Sequence, residues 1–153
     1  IGNDFTLNNK LVLQLTTADL ISSEQLGLGG MYTVRGYHER EVNGDYGFFL
    51  NNEIRTPSIS LFKKTGLKNP IEGINDSFQG LAFFDYGEVH QKGDTSVAQD
   101  LMSAGVGLRY IYGPYASLRF DLAWPLEDSG AARDGSSLSD DDVRGHVSLS
   151  LTF

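Results

Sequence analysis

One arginine stands among Val34, Gly36 and Tyr37, inside the glycine-rich, charged stretch GGMYTVRGYHEREVNGDYGFF that runs from Gly29 to Phe49. A guanidinium is always charged and presents a planar fork of donors, so its natural chemistry is bidentate capture of a carboxylate. Taken alone, such a stretch reads equally as a turn carrying a solvated arginine. Other chemistry-bearing residues are less organised. Glu127, Asp128, Asp134, Asp140, Asp141 and Asp142 gather near the end of the chain. Hard oxygen ligands suit calcium, but this spacing matches no calcium loop, and a solvated loop is expected. His38, His90 and His146 are scattered, which predicts no metal site. Serines and carboxylates are plentiful but lack nucleophile-elbow or triad spacing. The chain is therefore expected to be no enzyme and to need no cofactor. It has no cysteine, which removes disulfides, thiolate metal sites and cysteine nucleophiles together. Its net charge of −8 argues against nucleic acid, whose phosphates need clustered Lys and Arg.

The elements that must hold these residues show period-two alternation, the mark of a strand with one apolar and one polar face. From Phe5 to Leu15 the apolar set is Phe5, Leu7, Leu11, Leu13 and Leu15, opposite Thr6, Asn8, Lys10, Val12 and Gln14. From Tyr46 to Ile54 it is Tyr46, Phe48, Leu50 and Ile54, opposite Gly47, Phe49, Asn51 and Glu53. Phe78–Val89 is less clean, because Leu81, Phe83 and Phe84 blur the parity. Met102–Tyr112, Ala116–Trp124 and Val147–Phe153 alternate clearly, which predicts six strands.

A soluble antiparallel sandwich would also alternate, with its apolar side inward. Three features favour a transmembrane antiparallel β-barrel, apolar side to lipid and polar side to a wet lumen. The segments approach the roughly 9–11 residues of a tilted membrane strand, where soluble strands average about 5–6. The apolar faces carry no charge, whereas Lys10, Glu53, Asp85, Arg109, Arg119 and Asp121 all fall on the other face. Tyr46, Tyr110, Tyr112, Tyr115, Trp124 and Phe153 gather at strand ends, as interfacial girdles do. Six strands do not close a membrane barrel, since single chains begin at about eight. The chain, 1–153, is thus expected to be the C-terminal part of one larger barrel domain. The tight turn at Gly113-Pro114 is assigned to the periplasmic side and the longer connections to the outside. The 57–77 connection is long for that side and is expected to be partly strand extension.

In order along the chain, LGLGGMYTVRGYHEREVNGDYGFF, LNNEIRTP, LAFFDYGEV, SAGVGLRY, SLRFDLAWPL and the closing HVSLSLTF resemble the TpsB outer-membrane transporters of two-partner secretion, the haemolysin-secretion/activation type, within the superfamily of outer-membrane protein-assembly barrels. The resemblance implies a sixteen-stranded barrel of which these are the last six strands. The motif Val34-Arg35-Gly36-Tyr37 would lie on a loop folded back into the lumen. Its Arg35 would meet Asp85 of the strand motif Phe84-Asp85-Tyr86-Gly87, with Glu53 as a second acidic position. Phe153, Leu151 and Leu149 would form the sorting signal read by the outer-membrane assembly machinery. POTRA domains and a plug helix, usual in the family, are expected to lie outside residues 1–153. The implied function is a pore in outer-membrane lipid, with its C-terminus at the periplasmic face, that carries a secreted partner exoprotein. The alternatives are a barrel-assembly factor of the same superfamily, with a seam near Val143–Val147, and a passive porin or structural barrel. A soluble β domain comes last.

Overall fold

The computed structural model describes residues 4–66, 69, 71, 73–93, 98–127 and 143–152. Its elements are β1 (Thr6–Gln14), β2 (Leu26–Leu28), β3 (Val42–Gly44), β4 (Tyr46–Arg55), α1 (Leu61–Thr65), β5 (Asp76–His90), β6 (Gln99–Tyr112), β7 (Ala116–Pro125) and β8 (Arg144–Leu151). Six of the strands form one antiparallel sheet in the order β1-β4-β5-β6-β7-β8. The sheet does not close on itself within this chain. Among the described residues the fold is all-β apart from one short helix.

The register carries the alternation through the whole sheet. Asn51 faces Asp85, Phe83 faces Gly105, Gly107 faces Asp121, and Asp121 faces His146. One face therefore collects Phe49, Glu53, Phe83, Asp85, Arg109, Asp121 and His146, as the period-two pattern predicts. The opposite face is apolar and bare: Leu11 is 66% exposed and Leu149 61%, while Asp85 and Asp121 are 0% exposed. This arrangement inverts that of a water-soluble sandwich and suits hydrocarbon as the outer solvent.

The inner face is not uniformly polar. Leu81 and Phe83 lie on it with Ala123, and they are buried. Phe84 points the other way and is 40% exposed. This explains the blurred parity of β5: beneath the loop, the inner wall is a packed apolar surface rather than a wet one. The fit is close at Gly105, where an added Cβ would come 2.2 Å from the Phe83 ring.

The 57–77 connection contains little strand extension. A single bridge joins Ile59 to Phe78, and α1 follows. Ser60 caps the helix by accepting the Lys63 N–H, and Gly66 closes it in the left-handed conformation. Asp76 at the start of β5 accepts the Leu61 N–H at 2.7 Å, which ties the helix to the sheet. The turn after β6 is tight, closed by the Tyr115 N–H on the Tyr112 carbonyl at 3.1 Å.

Candidate functional site

Between β1 and β4 the chain forms a small hairpin, β2 paired with β3, and residues 29–41 hang from it across the inner face of the sheet. The hydrophobic effect seats this loop. Val34 and Tyr37 are buried with Leu28 and Val42 of the hairpin, Phe49 of β4, Val89 of β5 and Leu101 of β6. Burying a side chain the size of Val34 contributes about 1.5–3 kcal/mol. Gly36, at φ 96°, holds a conformation that side-chain-bearing residues rarely adopt, and an added Cβ would lie 3.3 Å from Ala123.

The seated loop delivers Arg35 to the wall. The side chain is 1% exposed, and its donors are matched to carboxylates on β4 and β5. Nε donates to Asp85 Oδ2 at 2.6 Å and Nη2 to Asp85 Oδ1 at 2.8 Å, the bidentate fork. Nη1 donates to Glu53 Oε1 at 2.7 Å, and the Arg35 backbone N–H adds a bond to Asp85 Oδ2 at 3.2 Å. The Phe83 ring covers the guanidinium, with Cζ 3.5 Å from the ring centroid, a cation–π contact strengthened by loss of water.

A second tier surrounds this pair. Asp121 of β7, fully buried, accepts from Arg109 Nη1 at 2.6 Å and Arg119 Nε at 2.7 Å, and lies 3.6 Å from Arg35 Nη1. Glu53 also meets Arg55 at 2.6 Å and Arg109 at 3.4 Å. Arg35, Arg55, Arg109 and Arg119 thus share Glu53, Asp85 and Asp121, which leaves the cluster one positive charge in excess. Arg119 also donates to the Met31 carbonyl at 3.0 Å, and Lys10 to the Tyr32 carbonyl at 3.2 Å. A cleft of about 200 Å³ opens beside the loop between Lys10, Tyr32, Asn51, Glu53 and Arg119.

Two further ties fix the loop near its hairpin. The Tyr37 hydroxyl is 2.7 Å from the carbonyl oxygens of both Met102 and Glu127, joining the loop to the ends of β6 and β7. Asp45, between β3 and β4, accepts the Lys92 N–H at 2.8 Å, the Gln25 amide at 3.0 Å and the Leu20 N–H at 3.0 Å. Those bonds, the Lys92 N–H foremost, hold its carboxyl below the usual range.

The structure brings Arg35, Asp85 and Glu53 together, with Val34 and Tyr37 packed alongside. Gly87 lies on the inner face, where a Cβ would meet Leu28 at 3.0 Å. Phe84 stands on the outer face, away from the site. Leu149 and Leu151 are exposed on the outer face of β8, and Phe153 lies outside the described residues, as do Asp128, Asp134, Asp140, Asp141 and Asp142. Sequence reasoning placed Arg109, Arg119 and Asp121 on the polar, lumen-side face and gave them no part in the Arg35 cluster. Their shared face was visible in the alternation, but their contact with the Arg35 cluster was not. Among the described residues no group of three or more His, Asp or Glu could hold a metal ion.

Residues 1–110 match the model of the haemolysin secretion/activation protein family ShlB/FhaC/HecB. The chain belongs to this family. It is also 29% identical, over 127 residues, to the outer membrane transporter CdiB of Dickeya dadantii (strain 3937). That match covers 82% of the chain and 21% of CdiB, so the chain spans about a fifth of this relative's length. Within the ShlB/FhaC/HecB match fall the whole loop, Glu53 and Asp85, whereas Arg119, Asp121 and β8 lie beyond it.

Proposed function

We propose that this chain supplies the C-terminal wall and the gating loop of an outer-membrane pore that translocates a partner exoprotein, of the adhesin, haemolysin or contact-dependent toxin class, in two-partner secretion. The observation that carries this reading is the Arg35 fork: a loop residue, buried and triply bonded to Asp85, fills the inner face that a passing chain would need. A diffusion pore has no use for such a plug. The bare apolar outer face, the family match and the relatedness to CdiB support membrane residence and transport. In the complete protein the open edges at β1 and β8 pair with strands of a sixteen-stranded barrel, since unpaired backbone in lipid costs several kcal/mol per group. The β6–β7 turn and the C-terminus face the periplasm, and Leu149, Leu151 and Phe153 address the chain to the assembly machinery. The chain performs no covalent chemistry and uses no cofactor.

The test is secretion of the cognate exoprotein by the full-length transporter carrying Arg35→Ala, Asp85→Ala or the Arg35→Asp/Asp85→Arg exchange, with insertion followed by heat-modifiable gel mobility. Loss of secretion in the single variants, with partial recovery in the exchange and normal insertion throughout, is the expected result. Wild-type secretion by either inserted single variant sinks the gating reading. It would leave the passive barrel, which predicts steady conductance indifferent to Arg35. Defective insertion of other barrels would favour the assembly-factor reading.

A further inference from the structure

The loop is tied to β8 through two imidazoles, and both ties share one chemistry. The Gly36 N–H donates to His146 Nε2 at 3.3 Å, and Arg144 Nη1 lies 2.7 Å from His38 Nε2. A backbone N–H and a guanidinium only donate, so each Nε2 must accept, which an imidazole does only while neutral. The ties are crossed. One ring sits on the strand and receives from the loop; the other sits on the loop and receives from the strand.

The geometry points to His38 and His146 as positioning residues that dock the loop on β8 in their neutral form and release it from β8 on protonation. This rests on the reading of the loop as the gating element. The charges around each ring decide what a proton would meet. His146 faces Asp121 across the β7–β8 pair, with Arg119 of β7 and Arg35 and Glu39 of the loop nearby. Asp121 is already engaged by Arg109 and Arg119, so an imidazolium at 146 would compete with two guanidiniums. His38 shares a cleft with Glu39 and Arg144, and its backbone N–H donates to Glu41 Oε2 at 3.1 Å. A proton on His38 would replace its bond from Arg144 by like-charge repulsion at the same short distance.

Free imidazole titrates near pH 6.5. A ring that must stay neutral to dock weakens docking about tenfold per pH unit below that value. Between pH 7.5 and 5.5 this amounts to about tenfold per ring and about a hundredfold for both.

The experiment uses the full-length transporter with Val34→Cys as its sole cysteine. Val34 is fully buried while the loop is seated. Maleimide labelling rates at pH 7.5, 6.5 and 5.5 are divided by those of Asp19→Cys, an exposed position outside the loop, which removes the intrinsic pH dependence of the thiol. The ratio is expected to rise about a hundredfold on acidification. With His38→Gln or His146→Gln, which keep an uncharged acceptor, it should rise about tenfold, and with both less than threefold. A ratio flat to pH 5.5, or an undiminished rise in all three variants, overturns the proposal. Arg35→Ala in the same background separates the two readings. Slow labelling of that variant at pH 7.5 overturns Arg35-dependent seating itself. Fast labelling of it beside a flat wild-type profile overturns only the histidine assignment.

Discussion

Replacing Asp85 by asparagine keeps the shape of the wall and removes one charge, which isolates the fork. Three Arg35 donors converge on this carboxylate, at 2.6, 2.8 and 3.2 Å. The amide can accept one of the side-chain bonds through its oxygen, but its NH₂ then opposes the other N–H. Arg35 is 1% exposed even in a sheet with both edges open, so water screens the loss little. Removing one partner of a buried pair costs about 3–5 kcal/mol. Glu53 at 2.7 Å and Asp121 at 3.6 Å remain to the guanidinium, which favours the lower end. At about 3 kcal/mol the loop should open about a hundredfold more often. Amide hydrogen exchange on the full-length protein reads this directly. Protection of amides 33–37 should fall about a hundredfold in Asp85→Asn, while β5 and β6 amides change less than threefold. Arg35→Lys, which keeps charge but loses the fork, should fall between the variant and wild type. Loop protection unchanged in Asp85→Asn, or equal loss across β5 and β6, would refute the claim that the fork holds the loop rather than the sheet.

Tyr37→Phe should cost about 1 kcal/mol, because it removes the hydroxyl shared by the Met102 and Glu127 carbonyls while Met102 keeps its bond from the Leu126 N–H; the loss should appear as faster exchange at the ends of β6 and β7. Gly36→Ala forces a side chain into positive φ beside Ala123, at about 1–3 kcal/mol, and should raise Val34→Cys labelling about tenfold or more without altering heat-modifiable mobility. Asp45 is held below the usual carboxylate range, so its contribution to stability is complete above about pH 4 and lost as pH falls through its lower folded value. Acid should therefore expose the β1–β2 connection to an acid-active protease below pH 4, and Asp45→Asn should expose it at neutral pH.

Much of the sheet was legible because membrane strands are long and one face is held to a single solvent. Alternation alone placed Glu53, Asp85, Arg109, Arg119 and Asp121 on one side. It failed where both sides are apolar, as in β5, where Phe83 covers Arg35 and Phe84 faces out. Strands as short as Leu26–Leu28 and Val42–Gly44 carry too few residues for a period to show. Helix α1 is a single turn made by the Ser60 cap and Asp76 rather than by amphipathic repetition. The pairing of Arg35 with Asp85, 50 residues apart, came from resemblance, since no local pattern encodes a contact at that separation. The parts played by Tyr37, Asp45 and Asp121 depend on which strand ends and walls the loop crosses, and only the folded register supplies that.

That register has a consequence for assembly. Successive strand residues face opposite sides, so a slip of one residue in β5 would swing Asp85 toward hydrocarbon and bring Phe84 under the loop. Every backbone bond of the ladder could still form, and the error would be silent to the sheet itself. Arg35 is where it would be felt. Glu53, Asp85 and Asp121 stand on three different strands, and they come within reach of one guanidinium only when β4 through β7 are all in phase. The loop thus acts as a checksum on strand alignment, able to seat only in a wall that has been threaded correctly.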